Sequence, residues 1–275
     1  MKYQAKKKFG QNFLTDKNLL EKIVVKADVK DQLVLEIGPG QGALTRYLLK
    51  YAKRVIAYEI DLGLKPFLDV LTQEYAHLDV IFEDILKADL NQYQEPYHVV
   101  ANVPYYITTP ILFKLMATEN VQTITLMIQK EVADRILAKP HTKAYNALSV
   151  IIQNLGHVEK ILDVNRKMFH PVPNVDSIVI KVTKKPAVFN AQLQDFQTFV
   201  KAAFQQKRKT LVNNLSEGYG VTKERVVTFL KENGLDVHIR AEAIDSIQWI
   251  ELSKGFHKEI IKNDNIPNDN IPNDD

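Results

Sequence analysis

The chain contains no cysteine among its 275 residues, which excludes disulfide bonds and thiolate metal sites and fits a reducing cytoplasm. Its seven histidines form no pair four residues apart and no cluster with metal-ligand spacing. No apolar run approaches the ~18 residues that indicate a membrane span. We therefore expect a cytoplasmic protein that binds neither a metal nor a membrane.

Negative charge is concentrated at the end of the chain. Residues 263–275 hold four aspartates and no lysine or arginine, and without these four charges the net charge rises from +3 to +7. A charge of that sign permits a polyanionic partner. The same segment repeats Asn-Asp-Asn-Ile-Pro twice and has no apolar periodicity, so we expect a disordered tail.

Short apolar runs alternate with helical patterns, which predicts an α/β fold with a parallel sheet covered by helices. The predicted strands are 33–37, 54–59, 78–82, 98–101 and 123–128, and the predicted helices are 43–51, 64–75 and 111–117. Two further β-rich runs, Leu148–Gln153 and Ser177–Val182, predict a hairpin at one sheet edge.

After Pro186 the pattern is wholly helical. The predicted helices there are 193–205, 210–215, 222–233 and 247–261. We therefore divide the chain into an α/β domain over 1–185, a small helical domain over 186–262 and the tail over 263–275.

A glycine-rich turn follows the first predicted strand, with the sequence Gly-Pro-Gly-Gln-Gly-Ala at 38–43. Gly38 and Gly40 let the backbone approach a ligand closely, and the helix that begins here offers free N–H groups. The spacing of Gly38, Gly40 and Ala43 also fits the dinucleotide fingerprint. The turn alone therefore leaves the ligand open, and a tight turn without a ligand is the alternative.

Acidic residues stand at the ends of the next two strands. Glu59 ends the second strand, where an acid can accept both hydroxyls of a ribose. Asp61 competes for this role, but Glu59 is the better candidate because it sits at the strand end, facing the crevice where ligands of open α/β sheets bind. Asp84 follows the third strand, where a carboxylate can accept from an adenine amine. Each acid alone is equally typical of a loop or a helix cap. Together with Gly38 they predict an adenosine site, either of a nicotinamide dinucleotide or of S-adenosylmethionine.

The fourth predicted strand ends in Ala-Asn-Val-Pro-Tyr-Tyr at 101–106. The amine of adenine is a poor nucleophile until it pyramidalises, and two hydrogen-bond acceptors favour that geometry. The Asn102 side chain and the Val103 carbonyl can supply them, and Pro104 fixes the turn. Tyr105 offers a flat face to a flipped-out base, with its ring rather than its hydroxyl in use. This predicts methylation of adenine N6, and an ordinary β-turn is the alternative.

These motifs resemble those of the KsgA-type rRNA adenine dimethyltransferases of the small ribosomal subunit. Asn-Val-Pro-Tyr is similar to the Asn-Leu-Pro-Tyr motif of amino-methylating enzymes. Phe-Gly-Gln-Asn-Phe-Leu-Thr-Asp at 9–16 resembles the family's opening motif, which folds over the methionine end of the cofactor. The resemblance implies a Rossmann-like methyltransferase that uses S-adenosylmethionine. It adds Asn12 and Leu14 to the predicted cofactor residues, which are then Asn12, Leu14, Gly38, Gly40, Glu59, Asp84 and Asn102.

Further stretches match the family in order. Residues 127–135 resemble the segment after the fifth strand. Residues 169–177 resemble a loop in which Phe169 is expected to cover the second face of the target base, with a core aromatic as the alternative. The loop 139–149 departs from the family pattern, because it lacks a glycine after Pro140 and has Asn-Ala in place of a Gly-Arg pair. Its shape is therefore left open.

Residues 206–215 resemble the opening of the family's helical domain. We expect Lys207, Arg208 and Lys209 to contact RNA phosphates, with a solvated helix start as the alternative.

The resemblance implies dimethylation of two adjacent adenines near the 3′ end of small-subunit (16S) rRNA, in an immature 30S particle. We expect a monomer. One alternative is the resistance-type methyltransferase of large-subunit (23S) rRNA, which shares the fold and the motifs at Gly38 and Asn102. A nicotinamide oxidoreductase is supported only by the glycine spacing. A purely non-enzymatic assembly factor has no use for the Asn102 motif.

Overall fold

The computed structural model describes residues 3, 6, 10–186 and 193–261. Their contacts form two units. One unit holds the described residues up to Ala133 together with His157–Pro186, and the other holds Asp134–Gly156 together with the described residues from 193 onward. The predicted division at 185/186 stays a prediction. Phe9 and the predicted tail lie outside the described residues.

The described strands and helices carry the following bounds. The strands are β1 (Phe13–Leu14), β2 (Leu33–Ile37), β3 (Arg54–Tyr58), β4 (Leu78–Ile81), β5 (Tyr97–Asn102), β6 (Val121–Gln129), β7 (Gly156–Val164), β8 (Phe169–His170) and β9 (Ser177–Lys184). The helices are α1 (Lys17–Ala27), α2 (Thr45–Tyr51), α3 (Lys65–Glu74), α4 (Thr108–Ala117), α5 (Lys130–Ile136), α6 (Ala147–Leu155), α7 (Leu193–Ala203), α8 (Leu211–Tyr219), α9 (Lys223–Glu232) and α10 (Gln248–Phe256).

A seven-stranded sheet forms the centre of the first unit. Its strand order is β4-β3-β2-β5-β6-β9-β7. β2 to β6 run parallel to their neighbours, whereas β9 is antiparallel to β6. A separate two-stranded sheet pairs β1 with β8. The predicted parallel sheet is therefore confirmed, with ends shifted by a few residues.

β2 lies in the middle of the sheet and is buried at every position, as expected for a strand covered on both faces. The chain leaves β2 for β3 and β4 on one side and returns to β5 and β6 on the other. The carboxyl ends of β2 and β5 therefore adjoin at the topological switch point, where ligands of open α/β sheets bind.

Helix α1 has no counterpart among the predicted elements. Its first turn is capped by Asp16, whose carboxylate accepts from the Leu19 N–H at 2.8 Å. Its apolar face buries Leu20, Ile23 and Val24. Together with Ala27 they follow the i, i+3, i+4, i+7 spacing of an amphipathic helix, so the local pattern was sufficient to predict this helix.

The predicted strand Leu148–Gln153 is wrong, because these residues lie within helix α6. Asn146 begins this helix with a capping box: its side chain accepts from the N–H groups of Leu148 and Ser149, and the Ser149 hydroxyl accepts from the Asn146 N–H. The β-branched run at 150–152 favours a strand, but the cap and burial on several sides override that propensity. The sheet position expected for this run belongs to β7 instead.

The second unit packs α6 to α10 around aromatic side chains. The ring of Phe199 lies 5.2 Å from that of Phe256 and 6.1 Å from that of Trp249. Trp249 and Phe199 are fully buried. The predicted all-helical pattern after Pro186 is therefore confirmed for the described residues. Within 10–186 and 193–261, no helix combines the length and apolarity that a membrane crossing requires.

Candidate active site

A cavity of about 740 Å³ opens at the carboxyl ends of β2 and β5, within the usual size range of small-molecule sites. The carboxyl ends of parallel strands lie at the same edge of a sheet, and most of the predicted site residues lie at this edge. Those that line the cavity are Asn12, Leu14, Gly38, Gly40, Glu59, Asp84, Asn102, Pro104 and Tyr105.

The glycine turn after β2 has left-handed backbone at Gly38 (φ +69°) and Gly40 (φ +61°). The Gly38 N–H donates to the Tyr58 carbonyl at 2.9 Å, which ties the turn to β3. A Cβ at Gly40 would lie 2.9 Å from the Phe13 ring. Glycine is therefore required at this position both by the backbone angle and by the close approach of the N-terminal segment.

Glu59 is only 4% exposed and follows β3 directly. One carboxylate oxygen accepts from the Gly40 N–H at 3.1 Å and the other from the Asp61 N–H at 2.8 Å. Burial raises the pKa of Glu59, and these backbone hydrogen bonds oppose the rise. Each oxygen keeps a second lone pair that can accept from a ligand.

Asp61, the competing acid, is bound elsewhere. Its carboxylate accepts from the Lys6 ammonium at 2.7 Å, from the Gln11 side-chain amide at 3.2 Å and from the Tyr3 hydroxyl. Burial alone would raise the pKa of Asp61, but the hydrogen bonds from Lys6 and Tyr3 lower it to about 2. Asp61 is not among the residues that line the cavity, so of the two acids only Glu59 faces it.

Asn102 ends β5 and is oriented by the N-terminal segment. Its side-chain amide nitrogen donates to the Asn12 carbonyl at 3.2 Å. The Asn12 side chain in turn donates to the Gly10 carbonyl at 3.1 Å. The hydrogen-bond network thus assigns the Asn102 nitrogen to Asn12, which leaves the Asn102 Oδ1 as a free acceptor at the cavity.

The ring of Tyr105 is held by its hydroxyl. This hydroxyl lies 2.8 Å from the Ser177 Oγ. Ser177 is 1% exposed and pairs with Gln129 at the start of β9. Burial raises the pKa of Tyr105. Sequence reasoning missed this contact, because 72 residues separate the two side chains.

Phe169 does not line the cavity. It is 3% exposed and pairs with Leu14 across the small β1–β8 sheet, where both belong to the hydrophobic core. Successive side chains of a strand point to opposite faces, and the next residue, His170, lines the cavity instead. The structure therefore places Phe169 as in the core alternative, and its role at a target base stays a prediction.

Glu36, within β2, also lines the cavity and was not singled out from the sequence. It is 1% exposed, and its Oε2 has no hydrogen-bond partner among the described residues. Burial raises the pKa of Glu36 to about 8, only partly opposed by the nearby Thr45 hydroxyl. An acid inside an otherwise apolar strand next to a glycine turn is the signal that could have identified it.

The basic residues predicted to bind RNA lie between α7 and α8 in the second unit. Lys207 and Arg208 are exposed. The Lys207 ammonium donates to the Lys143 carbonyl at 2.6 Å, and Lys209 forms a 2.6 Å ion pair with Glu217. In the parts of the chain that the structure describes, no group of three or more histidine, aspartate or glutamate side chains is placed to hold a metal.

The strand order and the turn chemistry at the switch point define a class of protein. The arrangement is that of Rossmann-like methyltransferases. A glycine turn follows the central strand β2, an acid follows β3, and Asn-Val-Pro-Tyr begins at the last residue of β5. The ribosomal RNA adenine dimethylase family model matches residues 2–258. The chain belongs to this family.

Named relatives agree with this membership. A ribosomal RNA small subunit methyltransferase A from Onion yellows phytoplasma (strain OY-M) is 51% identical over 251 residues, which cover 89% of this chain and 93% of that protein. The protein of the same name from Levilactobacillus brevis is 44% identical over 269 residues, covering 93% and 91%.

Two solved structures extend the comparison. A dimethyladenosine transferase from Plasmodium falciparum superposes with a TM-score of 0.78 at 29% identity, covering 90% of this chain and 98% of that one. The 23S rRNA methyltransferase ErmE gives a TM-score of 0.68 at 28% identity, covering 89% and 99%.

The predicted family, fold class and enzyme class are thereby confirmed. The chain is an adenine dimethyltransferase of small-subunit rRNA. The large-subunit alternative has weaker support, since its structural relative is 28% identical whereas the small-subunit relatives reach 51%. The spacing of Gly38, Gly40 and Ala43 also fits a nicotinamide enzyme. Membership of the dimethylase family assigns it to a methyltransferase in this chain.

Proposed function

We propose that the enzyme transfers methyl groups from S-adenosylmethionine to N6 of two adjacent adenines near the 3′ end of 16S rRNA. It acts as a cytoplasmic monomer on the immature 30S particle. The observation that carries this proposal is the orientation of Asn102, whose nitrogen is held by Asn12 so that its oxygen faces the cavity.

The residues present fit the cofactor. Gly40 has no space for a side chain, so the backbone alone forms that wall. The unpartnered Oε2 of Glu36 offers an acceptor for a cationic group, and the cofactor carries an ammonium and a sulfonium. Without a partner this buried carboxyl keeps its proton up to about pH 8, and a bound cation favours its charged form.

The adenosine half of the cofactor has a matching set of groups. The second lone pairs of Glu59 accept from the two ribose hydroxyls. Ile60 and Ile85, which follow Glu59 and Asp84, line the same cavity and offer apolar surface to the adenine ring. Asp84 accepts from the adenine amine. Asn12 lies beside Asn102, and Leu14 also lines the cavity. We assign both to the methionine end of the cofactor, as the resemblance implies.

The chemistry requires little from the protein besides geometry. The cofactor supplies an electrophilic methyl group on its sulfonium. The Asn102 Oδ1 and the Val103 carbonyl accept from the target amine, which favours its pyramidal form and directs its lone pair at the methyl group. No strong base is needed, because the amine becomes acidic only after it gains the methyl group. Pro104 holds the two acceptors in one turn.

Tyr105 provides the surface on which the flipped-out adenine stacks. The resemblance also predicts Phe169 as a cover for the second face of the base, although its ring lies in the core in this structure. Lys207, Arg208 and Lys209 contact RNA phosphates and set position rather than sequence. The Lys209–Glu217 pair is exposed, so exchanging it for a phosphate contact costs little.

Labelled methyl transfer tests the proposal. Immature 30S particles, 50S subunits and naked 16S rRNA are each incubated with enzyme and labelled S-adenosylmethionine, and the modified bases are mapped. The expected result is two dimethylated adjacent adenines near the 3′ end of 16S rRNA, found only in the immature particles. Methylation confined to the 50S subunit contradicts the proposed substrate.

A further inference from the structure

Lys114 binds backbone carbonyls near the cofactor cavity instead of an acidic side chain. It lies on α4, and its half-buried ammonium donates to the Leu86 carbonyl at 2.8 Å and to the Ala88 carbonyl at 2.6 Å. No carboxylate pairs with it within the described parts of the chain. A cation directed at two neighbouring carbonyls fixes the backbone that carries them.

The fixed backbone is the turn that carries Asp84. The Asp84 carboxylate accepts from the Leu86 N–H at 3.0 Å. The Asp84 carbonyl accepts from the N–H groups of Lys87 at 2.9 Å and Ala88 at 3.1 Å. Residues 84–88 thus form one helical turn. In the described part of the chain, no following helical turn supplies N–H donors for the last carbonyls of this turn. Lys114 binds these carbonyls, as lysines do at the C-terminal ends of helices.

Helix α4 also connects to the catalytic turn. The helix begins at Thr108, whose hydroxyl donates to the Pro104 carbonyl at 3.4 Å. Lys114 therefore joins the helix that follows Asn-Val-Pro-Tyr to the turn that carries Asp84. Asp84 and Pro104, the residues at the two ends of this connection, both line the cavity.

We propose that Lys114 is a positioning residue for recognition of the cofactor's purine. By holding the 84–88 turn it aims the free Asp84 oxygen at the exocyclic amine of adenine, and so it sets the preference for adenine over a 6-oxopurine. The inference rests on the proposed contact between Asp84 and the adenine amine. It extends that contact by naming the group on which its geometry depends.

The test compares S-adenosylhomocysteine with S-inosylhomocysteine by calorimetry. The second ligand carries a 6-oxo group in place of the amine and a hydrogen on N1. The parent protein is expected to prefer the adenine ligand by about tenfold or more, because hypoxanthine presents an oxygen to Asp84. In Lys114→Met this preference should fall towards one, through weaker binding of the adenine ligand alone. Lys87→Met, which removes an exposed lysine from the same turn, should keep the parent preference.

A double-mutant cycle separates positioning from general support of the fold. In an Asp84→Ala background, Lys114→Met should no longer change the preference, because the contact it acts through is absent. Lys114→Gln, with a shorter donor, should give an intermediate preference and serves if Lys114→Met is poorly folded.

Equal losses for both ligands, or an intact preference in Lys114→Met, overturn the inference. A parent protein without any preference overturns the Asp84 contact together with this inference. A parent that binds neither ligand refutes the cofactor assignment itself.

Discussion

The cavity at the sheet edge and the basic segment Lys207–Lys209 hold their polar groups in opposite ways. In the cavity, Glu59 is buried and fixed by two backbone N–H groups, and Asn102 is oriented by Asn12. In the basic segment the side chains are largely exposed, and their contacts are one backbone carbonyl and one surface ion pair. Fixed groups suit a ligand of one shape, whereas exposed charges suit a polyanion whose phosphates they follow.

The largest effect on the rate should come from Asn102, the oriented acceptor in the cavity. Asn102→Ala removes a hydrogen bond needed as the amine pyramidalises, and we expect a loss of ~10²–10³ in the rate of methyl transfer. Single-turnover kinetics measure it, with thermal unfolding and binding of immature subunits as controls that should stay near the parent. A rate within threefold of the parent, roughly 0.6 kcal/mol, would remove Asn102 from the mechanism.

The ribose acid should show the next largest effect. Glu59→Ala deletes charge-assisted hydrogen bonds to the ribose, and cofactor binding should weaken by roughly 1–3 kcal/mol. Titration calorimetry with S-adenosylmethionine measures it, and Glu74→Ala, an exposed acid on α3, is the control. Unchanged affinity in Glu59→Ala contradicts its assignment.

The basic segment should respond through salt rather than through chemistry. Neutralising Lys207, Arg208 and Lys209 together should weaken binding of immature subunits. The slope of log affinity against log salt should fall by about 0.7–0.9 for each phosphate that the variant no longer neutralises. The turnover of bound particles should stay constant. Neutralising three exposed lysines of the other unit, at positions 22, 26 and 30, changes the net charge equally. If both triple variants give the parent slope, the segment is a solvated loop.

A smaller effect tests whether the Ser177 contact fixes the Tyr105 ring in the cavity. The sequence predicts that Tyr105→Phe keeps nearly all activity, but the Ser177 contact changes that expectation. Tyr105→Phe and Ser177→Ala should each raise the KM for particles. The increase should correspond to the free energy of one hydrogen bond, about 0.5–1.5 kcal/mol. Combining them should add nothing, since they break one bond. Parent kinetics in Tyr105→Phe would show that the ring alone suffices.

The buried acid Glu36 affects stability instead of rate or binding, so its effect stands outside this ranking. Since burial raises its pKa from 4.5 to about 8, the folded protein keeps a proton that the unfolded chain releases between these pH values. Its contribution to stability is present below pH ~4.5 and is lost as the pH rises towards 8. The stability of Glu36→Gln relative to the parent should therefore increase as the pH rises through this window. Urea unfolding at several pH values, without cofactor, measures it. A constant difference means that the carboxyl titrates normally.

Local patterns were sufficient where function lies on consecutive residues. The glycine turn, the acid after the second strand of the parallel sheet and Asn-Val-Pro-Tyr were recognisable because a strand end places its next few residues at one edge. Patterns failed where a cap or a distant partner decides the outcome. The run at 150–152 resembles a strand, yet Asn146 and Ser149 start a helix there.

The choice between Glu59 and Asp61 shows the limit most clearly. Two residues apart in sequence, both are acids after the same strand, and only the position of Glu59 at the strand end favours it over Asp61. The structure separates them, because Asp61 is held by Tyr3, Lys6 and Gln11 while Glu59 faces the cavity. Long-range hydrogen bonds of this kind leave no spacing in the sequence to read.

The sequence by itself determined the α/β class, the family and nine of the residues that line the cavity, because these depend on local periodicity and on contiguous motifs. Only the tertiary structure decided that Phe169 is buried in the core, that Ser177 holds Tyr105, and that Lys114 supports the turn of Asp84. Each of these depends on contacts between segments far apart in the chain. Such contacts are set by packing and hydrogen-bond geometry in the folded molecule, which no local pattern encodes.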